Sequence, residues 1–553
     1  MHGILAPTNP EVPVSLRLLL PALLLPACTG GSKSPPEEPV VEARSFRVLG
    51  FNDVYRIEGF PEAGGLARVR GLRTQLEAES PDLLVTGAGD FFYPSLQSRM
   101  YGGEQMVDVL NQLDGDPEAV DERLFVTFGN HEFDKGDCED AANVDARLEQ
   151  SQFAWLTSNV TFQDCEGGEA PAAPMLQGTR VVEIGGVSVG LFGLTLPLED
   201  EVAYIADISD ATEAARAATA SLRDQGAEVV IAITHQTVGE DVAMLEALAD
   251  EGPDLVMGGH EHDAQAAQGA GRWVVKADAD ARSAEVVTLT EGEAGWDVSH
   301  ELVQLDESGP APDPAVTATV DAWLAKHQAA FCAEAGLEDG CLDVALGHTN
   351  TVLVGEEVEI RKYETSLGDY VADLAREAYL TQGAQAALIN SGSLRLNADI
   401  AADSDVTRRH IETLFAFPAG LVLLEVDGAT LQQMLDHSIS QWAGSGHWLQ
   451  VSGIRFVHDP VAGTATELSL TTEAGRVPVE AEQTYKIVVG VYNAGGGDGY
   501  TMLEDLKPLA EGKDLKELIV EDLQAAEGGI SPVTEGRICN TRRAEDCRGD
   551  GVK

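Results

Sequence analysis

Five short motifs in the first half of the chain carry side chains that can bind metal or move protons. They are FNDVY at 51–55, GAGD at 87–90, FGNHEFD at 128–134, ITHQT at 233–237 and GGHEHD at 258–263. Together they offer Asp53, Asp90, Asn130, His131, Asp134, His235, His260 and His262. Hard oxygen ligands mixed with imidazoles suit divalent ions. A carboxylate can serve two ions at once, and two ions held a few ångströms apart can grip a phosphoryl oxygen and acidify a bound water. One such motif is an ordinary turn, and a single histidine on an apolar strand is usually a core residue. Five in order are a different signal, because of what precedes them.

Each motif follows a short apolar run: FRVLG, DLLVT, RLFVT, VVIAI and DLVM. A run of this kind ending in a Gly or polar cluster reads as a buried strand entering a loop. All the chemistry-bearing residues therefore fall where strands end, the edge at which α/β sheets bind ligands. Helical stretches such as ARVRGLRTQLE alternate with the strands, which predicts a mixed α/β domain over 45–310.

The order and wording of the motifs resemble the calcineurin-like metallophosphoesterases. More closely they resemble the secreted 5'-nucleotidase family, which includes UDP-sugar hydrolases and cyclic-nucleotide phosphodiesterases; the likeness covers nearly all of residues 45–505. The resemblance implies a two-sheet sandwich flanked by helices and a pair of divalent metal ions, with zinc, manganese, iron and calcium all compatible with these ligands. It implies that Asp90 bridges the metals, that Asn130, His235 and His260 complete one shell, and that Asp53 and His262 belong to the other. His131 with Asp134 would form the catalytic dyad, the carboxylate orienting the ring. The family has histidine two residues after the first aspartate; this chain has Tyr55. A replacement ligand is offered by Asp90-Phe91-Phe92-Tyr93, whose Asp-x-x-Tyr spacing resembles that of the purple acid phosphatases. The other reading is that both tyrosines line the cleft and a water completes the shell.

The second half carries a separate constellation: Arg361, then ETSLGDYVADLAREA with a helix beginning near Ser366, then INSGSLR, FAFPAG and VYNAGGGDGY. A Gly-rich loop after a strand lets backbone approach a ligand closely. These segments resemble the C-terminal nucleotide-binding domain of the same family. The resemblance implies that Phe417 and Tyr492 clamp a base, that Asp498 binds ribose hydroxyls and that Asn390 contacts the base or positions the loop. Arg361 and Arg395 would meet phosphate. Here the loop reads NSGSLR where the family has NGGxxR, and Tyr492 stands where the family has phenylalanine.

The N-terminus reads as an export segment. LRLLLPALLLPAC at 16–28 is too short to span a bilayer and ends like a bacterial lipoprotein signal, with Cys28 as the lipidated residue. The expected organisation is a signal at 1–28, a Pro-rich tether at 29–44, a catalytic domain at 45–310, a linker helix at 311–340, a substrate-binding domain at 341–538 and a tail at 539–553. Contact with a membrane would come only through the lipid on Cys28, placing the chain in the periplasm or on the cell surface of a bacterium. Six further cysteines fall as three sequence-local pairs, 138–165, 332–341 and 539–547, an even set that suits an oxidising compartment. The net charge of −56, from 36 basic and 92 acidic residues, opposes a nucleic-acid polymer as partner, because phosphate backbones need a basic footprint. A small anionic substrate must be captured locally, by metal ions and a few arginines.

Taken together, motifs and resemblance imply an exported, metal-dependent phosphohydrolase acting on 5'-nucleotides or nucleotide-sugars, with the site between two domains and a hinge near the linker helix. The alternatives are a sugar-phosphate phosphatase, a 2',3'-cyclic-nucleotide phosphodiesterase, or a surface nucleotide-binding protein whose metal site has degraded.

Overall fold

The computed structural model describes residues 43–543 and 547, apart from 166–167, 199–200, 294, 441, 443–444 and 474. The expected signal, Cys28 and most of the tether lie outside the described residues. Among the described residues, no helix is long and apolar enough to cross a membrane.

Every apolar run named above is a strand. Ser45–Phe51, Leu83–Ala88 and Leu124–Thr127 lie side by side and parallel in a seven-stranded sheet, while Val229–His235 and Leu255–Gly258 are parallel neighbours in a six-stranded sheet. The two sheets face each other. Val48, Leu84 and Phe125 of the first meet Val189, Leu191, Ile231, Ile233 and Met257 of the second in one core layer. Because both faces of these central strands are covered, their sequences are apolar throughout instead of alternating.

Helices close the outer faces. Leu66–Glu79 and Pro314–Glu334 lie on the first sheet, contributing Val69, Leu72 and Leu76 from one and Val316, Val320 and Trp323 from the other. The buried spacing of i, i+4 and i+7 in Pro314–Glu334 is the helical stripe expected of a packed helix. Its start is fixed by sequence: Asp313 accepts hydrogen bonds from the N–H groups of Ala315 and Val316, and Pro314 occupies the first turn. Ala211–Asp224 and Val238–Leu248 cover the second sheet through Ala215, Leu222, Leu245 and Leu248.

The C-terminal half is built on a five-stranded mixed sheet in the order Leu449–Ser452, Ala386–Asn390, Thr484–Gly490, Gly420–Asp427, Ala510–Asp514. Ser366–Glu377 and Leu515–Ala525 bury Val371, Ala372, Ile519 and Leu523 on one face, while Gly428–Ser440 buries Leu431, Met434 and Leu435 on the other. The three cysteine pairs form as proximity suggested: Cys138–Cys165, Cys332–Cys341 and Cys539–Cys547.

The seam between the halves is polar. Arg56 donates to the carbonyls of Arg395 and Leu396, Arg282 pairs with Glu356, Lys362 reaches Asp263 at 2.8 Å, and His262 meets Glu357. Seams of this character are the ones across which domains move most readily.

Candidate metal centre and substrate site

The loops leaving the strands are tightly bent. Asp53, Asp90, His260 and His262 all adopt positive φ, at 52°, 62°, 95° and 64°. Non-glycine residues are held in that region at a cost and cluster where function over-determines the backbone. The motif glycines make room for them. A Cβ on Gly129 would lie 2.1 Å from Asp90 Oδ1, and one on Gly259 would lie 2.9 Å from Asp53 Oδ2.

Two buried charges lock these loops, and neither was singled out in the sequence. Glu132 accepts hydrogen bonds from the backbone N–H of Gly129 (2.6 Å), Asp90 (3.0 Å), Phe91 (2.5 Å) and Phe92 (3.2 Å), tying GAGD to GNHE. Burial and the adjacent Asp90 charge push its carboxyl up to about 7. Lys276 donates to the carbonyls of Gln236 (2.5 Å) and Gly259 (2.8 Å) and pairs with Glu261 (2.6 Å), tying ITHQT to GGHEH.

The loops converge as the spacing implied. Asp53, Asp90 and His262 place one ligand atom each within 4.8 Å of one another. His235 Nε2 is 3.3 Å from Asp90 Oδ2 and 3.9 Å from Asp53 Oδ1, and its Nδ1 donates to the carbonyl of Ala88 at 2.7 Å. That bond points Nε2 at the carboxylates. The His260 ring packs edge-on against His235, with centroids 5.2 Å apart. Asp53 Oδ1, His235 Nε2 and Asn130 Oδ1 are all buried without a hydrogen-bond partner. Orphaned polar atoms cost about 1–3 kcal/mol each. Asp53 Oδ1 and His235 Nε2, 3.9 Å apart beside Asp90, fit divalent cations, and the donor chemistry agrees.

His131 and Asp134 are also in contact. His131 Nδ1 is 2.7 Å from Asp134 Oδ1, and Nε2 stands 4.0 Å from Asp90 Oδ2. Burial opposes charge on His131, but the Asp134 and Asp90 carboxylates outweigh it and raise its pKa above the ordinary imidazole value. Asp90 is lowered in turn: burial opposes its charge, and His235 and His131 more than compensate.

Tyr55 stands inside the cluster. Its hydroxyl is 2.9 Å from Asp90 Oδ2 and 2.8 Å from His262 Nε2. Tyr93 is elsewhere: its hydroxyl faces Asp140 Oδ1 at 3.5 Å and accepts from Asn143 at 3.3 Å. The Asp-x-x-Tyr reading therefore fails. The turn at Asp90 sends Phe91 and Phe92 into the core and carries Tyr93 away from the ligands.

The C-terminal half reaches this cluster through a residue that no motif marked. Glu357 lies 2.8 Å from His262 Nδ1 and 2.6 Å from Arg361 Nη2. Burial opposes its charge, yet Arg361 and His262 hold its pKa well below the ordinary value. Arg361, expected to meet phosphate, is thus anchored through Glu357 beside His262. Arg395 bonds the carbonyl of Gly392 at 2.7 Å and sits 5.6 Å from the Phe417 ring centroid. Its charge is felt at Tyr55, His131 and Glu357. Asn390 donates to Asp498 Oδ2 at 2.7 Å, and Tyr492 donates to Asp498 Oδ1 at 3.3 Å. The Tyr492 ring lies half exposed over Gly497, where any Cβ would strike it.

Comparison with known proteins agrees with this geometry. The family model for calcineurin-like phosphoesterases matches residues 46–264, and that for the 5'-nucleotidase C-terminal domain matches 345–505. The chain is 24% identical to the 5'-nucleotidase of Rattus norvegicus, with 96% of this chain and 95% of that one covered. It is 26% identical to the snake venom 5'-nucleotidase of Naja atra, with 86% and 92% covered. A 5'-nucleotidase precursor from Thermus thermophilus superposes with a TM-score of 0.74 at 23% identity, over 90% of this chain and all of that one. The chain belongs to the 5'-nucleotidase family of calcineurin-like metallophosphoesterases, hydrolases that act on phosphoester bonds.

Proposed function

We propose that this hydrolase is exported and uses two metal ions to release phosphate from 5'-nucleotides or nucleotide-sugars. The observation that carries the reading is the convergence of Asp53, Asp90, His235 and His262, with Asp53 Oδ1 and His235 Nε2 buried and unpartnered, beside the His131–Asp134 pair. Asp90 with Asn130, His235 and His260 would hold one ion, and Asp90 with Asp53 and His262 would hold the other. When bound, such ions polarise the phosphoryl group and acidify a water.

The protein's own residues do the rest. Asp134 holds the Nδ1 proton of His131, and the Asp134 and Asp90 carboxylates favour the imidazolium, which carries a second proton on Nε2 directed at the substrate. There it stabilises charge developing on a phosphoryl or leaving-group oxygen. Arg361 and Arg395 present planar donors to the same phosphate. Tyr492 and Phe417 take the base, and Asp498, oriented by Asn390 and Tyr492, accepts from the ribose hydroxyls. The names of the relatives support a nucleotide as substrate. The apolar run ending at Cys28, a candidate lipid anchor, and the three cysteine pairs support export.

The base clamp is tested with Tyr492→Ala. Aromatic stacking on a base contributes about 1–3 kcal/mol, so KM for AMP should rise roughly 5- to 150-fold. Turnover of a phosphate ester lacking a base should stay unchanged. Equal loss on both substrates removes the clamp from the account.

A further inference from the structure

A cavity of about 430 Å³ opens in the seam between the halves. Tyr55, whose hydroxyl meets Asp90 and His262, forms part of its wall, so the cavity lies beside the metal cluster. The proposed metal ligands, His131 and the base and ribose residues Phe417, Tyr492, Asn390 and Asp498 stand outside its walls. Its size is that of a small-molecule site, and such sites commonly lie at domain interfaces. The walls come from both halves: Arg56 follows the first motif, His327 sits on the Pro314–Glu334 helix, and Arg395, Asn397 and Arg409 belong to the second half. Polar atoms on these walls are buried without partners. His327 is 1% exposed, yet neither Nδ1 nor Nε2 has a hydrogen-bond partner. Asn397, 5% exposed, leaves Oδ1 unpartnered, and Arg395 leaves Nη1. Such groups cost free energy, and native folds keep few of them, so several around one space call for a ligand that answers them.

The unpartnered set has a definite character. His327 is held neutral, its pKa lowered to about 4 by burial first and then by Arg409 and Arg99. A neutral imidazole offers one N–H and one acceptor nitrogen; Arg395 adds a donor and Asn397 Oδ1 an acceptor. Charge is uneven as well. Arg56, Arg395 and Arg409 share the cavity with Glu58 and Asp399. Asp399 is already committed to the backbone N–H groups of Gly355 and Glu356, at 3.0 and 3.2 Å. The Arg409 charge is felt at Glu58, His327 and His410. An excess of guanidinium inside a chain of net charge −56 favours an anionic occupant. We propose that this cavity is a second ligand site, separate from the substrate site, which takes a small organic oxyanion, carboxylate or phosphate, that also bears a hydroxyl. The oxyanion accepts from Arg395, Arg409 and His327, and the hydroxyl donates to Asn397. Arg395 also serves the substrate phosphate, so occupancy shifts substrate affinity by a finite factor, about 5- to 150-fold; this consequence, unlike the site itself, rests on the substrate reading above.

The test is calorimetric titration of the metal-loaded protein with malate, with 3-hydroxypropylphosphonate and with succinate, which lacks the hydroxyl. Wild type, Arg409→Met and His327→Phe are compared, with circular dichroism confirming that each is folded. Malate or the phosphonate should bind wild type, and whichever binds names the carboxylate or the phosphate class. Succinate should bind more weakly than malate. Arg409→Met should weaken binding by about 10- to 150-fold, and His327→Phe by less. In phosphate-release assays the bound probe should move KM to a plateau, whereas a competitor at the metal centre raises KM without limit. Neither hydroxylated probe binding, equal affinity in wild type and both variants, succinate binding as tightly as malate, or a KM that rises without limit overturns the proposal. The titration needs no turnover, so a failed substrate reading and a failed cavity site are told apart.

Discussion

Glu357 is the sharpest place to perturb the centre without touching a proposed ligand. It comes from the C-terminal half, is buried, and holds the Nδ1 side of His262 at 2.8 Å while paired with Arg361 at 2.6 Å. With Nδ1–H committed to the carboxylate, the lone pair of His262 is left on Nε2, the nitrogen 3.5 Å from Asp53. Glu357→Gln keeps the shape and an acceptor but removes the charge that makes the imidazole a strong donor. Partners of this kind are worth about 10- to 100-fold in metal affinity, roughly 1.4–2.7 kcal/mol. The assay is competition with a chelator on the folded variant. Arg99→Met is the control, because Arg99 also crosses the seam, to the carbonyls of Glu412 and Phe415, yet touches no ligand. Loss of affinity in Glu357→Gln alone is the expected result. Equal affinity in wild type and Glu357→Gln refutes the claim that the second half helps to build the metal centre.

Two further outcomes follow from the geometry. His131→Ala should lower kcat by about 10²- to 10⁴-fold while metal content stays unchanged; lost metal would make His131 a ligand. His327, His447 and His458 are buried with pKa values near 4, lowered by burial first and then by Arg409, His437 and Arg542 respectively. Below the ordinary imidazole value of about 6.5 the unfolded chain takes up protons that the folded chain refuses. The contribution of these three histidines should therefore be full above pH 6.5 and fall as pH drops toward 4, by up to about 1.4 kcal/mol per pH unit for each, against the opposite contribution of carboxyls held high such as Glu132. Urea melts of wild type and His327→Gln across that window check the sign: the variant should lose part of the acid-side fall, and an unchanged slope contradicts it.

Much of the centre was legible because strand and motif are contiguous. An apolar run followed by GD, GNHE or GHEH places its ligand at a strand end whatever the rest of the fold does. The start of Pro314–Glu334 was likewise local, written in Asp313 and Pro314. What escaped is long-range or directional. Glu357 meets His262 across 95 residues, and Lys276 reaches back 40 residues to Gln236, separations that no spacing rule covers. Glu132 lay in a quoted motif, yet its role depends on four backbone N–H groups brought to it by folding. Tyr93 shows the limit of spacing alone: a three-residue offset from Asp90 says nothing about a turn at positive φ that redirects the ring.

The central claim is that metal ions at the Asp53–Asp90–His235 cluster drive hydrolysis of a nucleotide gripped by the second half. It is tested most directly by phosphate release from AMP, UDP-glucose, cyclic AMP and a sugar phosphate, using residues 45–553 stripped of metal and then resupplied with manganese, zinc, cobalt, iron or calcium. The account predicts no release without metal and strong release from AMP or UDP-glucose once metal is restored. Release from none of the substrates with any metal contradicts it.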